Sequence, residues 1–258
     1  MLAVLAVIAR VAGVFALAGA LGGGSAPTVA SVGRAGAPPH GAIGRDVGSM
    51  SCDATLGSKV DFGIIATTAG RPYFPSPCLS AEYAWASRLR YRPQFYINLA
   101  NPGHKSAHWG RGGPRHCDRH PKYDVGCAYD YGFEAAKTAL GYVRAIGAIP
   151  RGRWWLDVEF DNTWGVTRKG IQANVAVIRG ALEELRRQPH VSAGIYTETV
   201  WWAFITNGST AFSHTAVWGG GAGSKRQAQR NCRPHSITGG PALLAQWIAR
   251  GVDHDIAC

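Results

Sequence analysis

Asp157-Val158-Glu159 sets two carboxyl groups two residues apart, directly behind the apolar run Trp154-Trp155-Leu156. On a β-strand, side chains two apart point to the same face, so both carboxyls would project into one site. Two like charges side by side raise one pKa, and apolar neighbours raise it further, which keeps an acid protonated near neutral pH. A pair of this kind suits general acid–base chemistry, with one group donating a proton and the other holding negative charge. The competing readings are a solvated strand end and a structural ion pair with Arg151 or Arg153.

The chain has only 16 acidic residues in 258, so the pair can be weighed against the others. Glu134, Glu183 and Glu184 fall in helical stretches. Asp118, Asp124, Asp130 and Asp161 fall in loops or at helix starts, where capping or solvated roles are the default. Strand ends leave Asp46, the Asp157–Glu159 pair, Glu198 and the Asp253–Asp255 pair. Asp46, ahead of Val47-Gly48-Ser49, also reads as a turn residue, and Asp253 and Asp255 also read as solvated strand positions. His104, His108, His116 and His120 share a loop rich in Gly, Pro and basic residues. They match no recognised ligand spacing, so no metal or other cofactor is expected. Tyr196, Trp218 and Trp247 belong to a set of aromatics near these strand ends, whose flat faces suit sugar rings and nucleobases alike.

The elements that must position these groups alternate along the chain. Short apolar runs bounded by turn residues, as buried strands are, occur at 42–47, 60–66, 93–99, 153–159 and 191–196. Helical spacing separates them at 79–89, with Ser80 as the expected N-cap, at 129–146 and at 171–187, where Arg186-Arg187 meets the helix dipole favourably. Strand–helix–strand repetition argues for a parallel α/β sheet. After residue 205 the helices stop, and three further strands are expected at 215–219, 241–248 and 252–256. The last connection is too short for a crossover, which makes that pair antiparallel. Eight strands with helices mainly after the early ones describe a barrel that is complete in its first half and stripped in its second. In such a barrel, catalytic groups sit where strands end.

Residues 1–26 read as a signal peptide. Arg10 forms its positive region, an apolar run follows, and small residues offer a cleavage site; an uncleaved membrane anchor is the alternative. Residues 27–40 read as a linker and 41–258 as one barrel domain. Six cysteines and no close pair agree with export and a disulfide framework. They fall into three clusters in sequence order, so Cys52–Cys78, Cys117–Cys127 and Cys232–Cys258 are the expected bridges. The formal net charge of +11 points to an anionic partner such as nucleic acid, a membrane surface or an acidic wall polymer.

Taken together, Gly44-Arg45-Asp46-Val47-Gly48, Trp155-Leu156-Asp157-Val158-Glu159, Gly194-Ile195-Tyr196, Ala216-Val217-Trp218 and Leu244-Ala245-Gln246-Trp247 ahead of Asp253 resemble glycoside hydrolase family 25. These are secreted lysozymes that cut between N-acetylmuramic acid and N-acetylglucosamine. Phrases such as Gly70-Arg71-Pro72-Tyr73, Asn98-Leu99-Ala100-Asn101-Pro102-Gly103 and Cys127-Ala128-Tyr129-Asp130-Tyr131-Gly132 are closer to a less characterised group of secreted bacterial barrels in that superfamily. The resemblance spans residues 41–258. It implies a single-domain α/β fold, a flattened TIM-like (β/α)5(β)3 barrel.

The resemblance also implies roles. Glu159 matches the general acid, Asp157 its partner carboxylate and Asp46 the first-strand aspartate. Tyr196, Trp218, Trp247, Asp253 and Asp255 are expected to bind substrate. The implied reaction is retaining and substrate-assisted: the 2-acetamido oxygen attacks the anomeric carbon and Asp157 steadies the oxazolinium. The expected protein is then a secreted or wall-associated monomer acting on peptidoglycan or a related amino-sugar glycan. It binds no nucleic acid, and meets a membrane only if the N-terminal segment is uncleaved. A barrel that binds wall glycan without cutting it is the alternative, because fold does not fix function.

Overall fold

The computed structural model describes residues 36–258 apart from 49–51, 53–55, 58, 118–120 and 234–235. The expected signal peptide, most of the linker, Asp118 and His120 therefore lie outside the described residues. Eight strands close into a barrel in sequence order: β1 (Ile43–Val47), β2 (Phe62–Ala66), β3 (Gln94–Asn98), β4 (Gly152–Asp157), β5 (Val191–Thr197), β6 (Ala216–Ala222), β7 (Ala242–Ala249) and β8 (Val252–Ala257). Neighbours from β1 to β7 are parallel. Strand β8 is antiparallel to both β7 and β1, as the short connection ahead of it requires.

Alternation along the strands divides the apolar residues between two layers. Phe62, Ile64, Trp155, Tyr196, Trp218 and Leu244 point inward and fill the barrel. Phe95, Ile97, Trp154, Leu156, Val158 and Ile195 point outward into the layer shared with the helices. The interior accepts large rings because glycines face them. A Cβ on Gly44 would collide with the Phe62 ring, and one on Gly194 with the Trp155 ring. The floor beneath the strand ends is therefore solid packing, as in other small barrels.

Among the described residues five α-helices cover the outside: α1 (Leu79–Ala86), α2 (Val125–Ala145), α3 (Arg168–Arg187), α4 (Thr199–Thr206) and α5 (Lys225–Asn231). The expected starts are adjusted by capping. Cys78 is the N-cap of α1, with Ser80 inside its first turn. Helix α2 gains a turn because the Asp124 carboxylate accepts from the Cys127 N–H at 2.8 Å, and α3 begins after Thr167, whose Oγ1 accepts from Gly170 N–H at 3.1 Å. The expectation that helices stop after residue 205 is corrected by α5. Its Lys-Arg-Gln-Ala-Gln-Arg-Asn run has no apolar stripe, and it is held by the Ser224 cap and by Ala228, buried with Ala245, Trp247 and Ile256. All three expected bridges are formed: Cys52–Cys78, Cys117–Cys127 and Cys232–Cys258. Among the described residues no helix is long and apolar enough to cross a membrane.

Candidate active site

A cavity of about 620 Å³ opens at the ends of the parallel strands, and six carboxyl groups line it: Asp46, Asp157, Glu159, Asp161, Glu198 and Asp253. Among the described residues no Lys, Arg or His lines it. In a chain with a formal charge of +11, this is a concentrated patch of the opposite sign.

Asp157 is the last residue of β4, with Glu159 two positions beyond, so the strand's alternation carries both side chains inward. The backbone between them is clamped. Val158 N–H donates to the Tyr196 carbonyl at 3.0 Å, Thr197 Oγ1 donates to the Val158 carbonyl at 2.9 Å, and Trp164 Nε1 donates to the Glu159 carbonyl at 2.7 Å. Val158 itself is buried in the outer layer. Asp157 is 4% exposed. One oxygen accepts from Asn98 Nδ2, and no N–H or O–H donor reaches the other, which faces Glu159. Burial, and then the Glu159 charge and its hydrogen bond, push the Asp157 carboxyl well above its ordinary range. Burial also raises Glu159, with Asp161, Glu198 and Asp253 adding repulsion, while the Asp157 hydrogen bond lowers it. Both carboxyls are thus pushed toward their protonated forms, because neither charge is easily held beside the other in a buried site. Among the described residues neither Arg151 nor Arg153 forms an ion pair, so the pairing weighed from the sequence does not form.

Two polar chains orient the carboxyls. Thr68 Oγ1 donates to Asn98 Oδ1 at 2.8 Å, and Asn98 passes its amide to Asp157. Across the barrel, Tyr196 Oη donates to Gln246 Oε1 at 2.8 Å, and Gln246 Nε2 donates to Asp46 Oδ2 at 2.6 Å. Burial, then the Asp253 charge, raises Asp46 to about 8 against the lowering effect of Gln246. An amide engaged at both ends has a fixed orientation, so each carboxylate meets an N–H rather than a carbonyl.

The structure brings Asp46, Asp157, Glu159, Tyr196, Trp218 and Asp253 to one cavity. Two of the expected substrate contacts are not there. Trp247 points to the opposite face of β7 from Gln246, is buried beneath α5 and stacks on His254 with centroids 5.1 Å apart. Asp255 points inward but lies below the cavity, fully buried. Burial and the Asp46 charge raise it well above its ordinary range. Of the loop histidines, His104, His108 and His116 do not line the cavity, and His108 stacks on Tyr73 at 3.8 Å.

Glu198, kept from the sequence among the strand-end acids, and Trp201, one of the aromatics near those ends, line the cavity as well, together with Tyr96, Asp161 and Gln246, which the sequence reading did not choose as site residues. Period-two alternation on β3 and β7 would have found Tyr96, Asn98 and Gln246, since each is in phase with an inward residue. Trp201 sits on α4, whose position follows from tertiary packing alone. The Tyr196 ring lies 4.3 Å from that of Trp218, forming an aromatic wall on β5 and β6, directly beside the strand that carries the carboxyl pair. A ring of carboxyls beside such a wall can bind a polyhydroxylated ligand and move protons at one of its bonds.

Comparison with solved structures places this architecture. The chain is similar to a family GH25 lysozyme from Aspergillus fumigatus, at 18% identity over 84% of this chain and 93% of that one, with a TM-score of 0.56. A bacterial lysozyme from Streptomyces coelicolor matches at 15% identity over 85% and 93%, with a TM-score of 0.52. The modular Cpl-1 endolysin, solved with a peptidoglycan analogue, matches at 14% identity over 85% of this chain and 55% of its own, with a TM-score of 0.54. A scan against protein-family models and a search of curated proteins find no match. The chain has the fold of the family 25 lysozymes, as the sequence resemblance implied.

Proposed function

We propose that this protein is a glycoside hydrolase that cleaves peptidoglycan or a related amino-sugar glycan, with Glu159 as acid–base and Asp157 as its partner. The observation that carries the reading is the Asp157–Glu159 carboxyl pair, clamped at the end of β4 and lining a cavity with Tyr196, Trp201 and Trp218. The lysozymes and the endolysin that share the fold are consistent with it.

In this mechanism the glycan lies across the strand ends, with the sugar whose bond breaks over the carboxyl pair. Its acetamido N–H engages Asp157 as a carboxylate, and Glu159 carries the pair's one proton. Glu159 then protonates the glycosidic oxygen as the acetamide oxygen attacks the anomeric carbon, and the bond to the leaving sugar breaks. Asp157, the carboxylate oriented by Asn98, balances the positive oxazolinium. Water next attacks the anomeric carbon and gives its proton to Glu159, and the ring reopens to the acetamide with net retention. Asp46, held by Gln246, and Asp253 bind hydroxyl and amide groups farther along the glycan. We place the mature chain outside the cytoplasm, since three disulfides persist in oxidising compartments and the substrate lies there.

The test is release of reducing ends from purified peptidoglycan. Glu159→Gln keeps the shape and removes the acid, so the rate should fall about 10²–10⁴-fold while the melting temperature and wall binding stay near those of the wild type. Undiminished cleavage by this variant would remove Glu159 from the mechanism. Saturable wall binding by the wild type without new reducing ends at any pH would instead support a non-catalytic glycan-binding barrel.

A further inference from the structure

The acidic cavity leaves the basic surplus to other parts of the surface. A second cleft, of about 530 Å³, opens between α2, the C-terminal half of α3 and the segment entering β6. Arg115, Arg179, Arg186 and Arg187 line it against a single carboxylate, Glu183. Among the described residues none of the four arginines has an ion-pair partner. Neighbours hold three of them in place instead. Arg186 donates to Thr215 Oγ1 at 2.7 Å, the Arg115 guanidinium lies 4.7 Å over the Tyr129 ring, and that of Arg187 lies 5.4 Å from the Phe133 ring. Those contacts fix the guanidinium groups and leave most of their N–H donors uncommitted.

Tyr129 supplies an independent pointer to a ligand. It lines the cleft and is 7% exposed. Its hydroxyl lies beside Glu183 and Arg115 without a hydrogen bond of full geometry. A buried hydroxyl whose neighbours complete no well-formed hydrogen bond is poorly satisfied, and an oxyanion seated among the arginines would accept from it. On α3, Arg179 and Arg186 are seven residues apart, about 10 Å along the axis. That spacing serves successive charges on one chain better than a single small ion.

We propose that this cleft binds a flexible polyanion with repeating phosphodiester groups on a polyol backbone. The guanidinium fork matches phosphate oxygens, and a phosphodiester stays ionised at the acidic pH where polymer carboxylates lose charge. The face of Tyr129 is covered by Arg115, so the cleft offers no open ring for a base to stack on, which disfavours nucleic acid. Thr215 immediately precedes β6, and Arg186 and Arg187 end α3 just ahead of β5. The cleft therefore reaches the end of the barrel where strands start, while the catalytic cavity lies where they finish. Its occupant does not compete with a glycan, and the proposal stands apart from the glycosidase reading.

The test is fluorescence anisotropy with a labelled glycerol-phosphate oligomer. The combined variant Arg115→Gln, Arg179→Gln, Arg187→Gln should bind at least tenfold more weakly than wild type. Its log–log salt slope should be shallower by about two. A charge-matched control, Arg88→Gln with Arg90→Gln and Arg92→Gln, should change affinity less than twofold. Should the combined variant fold poorly, the single reversal Arg179→Glu, at an exposed position, should still cost at least threefold. Equal losses in cleft and control variants, absence of saturable binding, or equal affinity for polyglutamate of the same charge would overturn the proposal. So would tighter binding of a single-stranded oligonucleotide. Reducing-end release from polymer-free glycan should be unchanged in the cleft variant, so failure of this site and failure of the catalytic reading give different results.

Discussion

Asn98 carries more of the proposed chemistry than its type announces. Its amide donates to Asp157 and its carbonyl is held by Thr68, so it is a positioning residue that lowers the Asp157 pKa against burial. A hydrogen bond to a charged group contributes about 1.5–3 kcal/mol, which corresponds to roughly one to two pH units. Asn98→Ala should therefore move the acidic limb of the pH–rate profile upward by that amount, because Asp157 must be ionised to steady the oxazolinium. Thr68→Val should move it part of the way. A profile that falls in height without moving would show that Asn98 only maintains structure. Asp157 and Glu159 were legible in the sequence because two acids at period two behind an apolar run conflict with the rest of the strand. Asn98 and Gln246 drew no notice, since a neutral amide on a strand conflicts with nothing around it, and only the alternation of β3 and β7 marks both as inward. Trp247 misled for the complementary reason. An aromatic in a strand carries no mark of the face it occupies, and α5, which covers that face, has no amphipathic signal.

Helices α2 and α3 approach each other through glycines, and this geometry holds the outer layer on which β4 rests. A Cβ on Gly132 would run into the Val177 carbonyl, and one on Gly180 into the Tyr129 carbonyl. Backbone cannot yield as a side-chain tip can, so Gly132→Ala or Gly180→Ala should destabilise by about 1–3 kcal/mol through overpacking. Gly141, in the same helix as Gly132, has nothing within 4 Å of its added Cβ, and Gly141→Ala should stabilise by about 0.5–1 kcal/mol through helix propensity alone. Chemical denaturation of the three variants checks this, and stabilisation at all three positions would refute the close approach. The eight strands, the three long stretches of helix and the antiparallel last pair were readable from periodicity and connection length. Helices α4 and α5 were not. Helix α4 is apolar enough to pass for a buried run, and α5 is too polar to show a stripe.

The molecule as a whole keeps more protons than its composition implies. Burial lifts Asp46 and Glu82 to about 8 and raises Asp157 and Asp255 well above the carboxylate range. Each of these groups binds its proton more tightly folded than unfolded. The stability they contribute is complete below the unfolded value near 4 and falls as pH rises toward the folded values, at up to about 1.4 kcal/mol per unit for each group. The melting temperature should accordingly be higher near pH 5 than near pH 8. Glu82→Gln, on a buried side chain outside the cavity, should flatten that slope, and a slope of opposite sign would contradict the burial-driven shifts. Glu82 escaped the sorting of acids by strand ends because it sits on α1, where its helical neighbours give no hint that it faces the barrel wall. The carboxyls also lie at two depths. Asp157 and Asp255 form a deep tier, and Glu159 and Asp253 a shallow one, contributed by strands that run in opposite directions. Every deep carboxyl that stays neutral at pH 7 adds one positive unit to the formal +11 that unfolding would restore. At pH 7 the native protein should therefore migrate faster toward the cathode than its charge count allows.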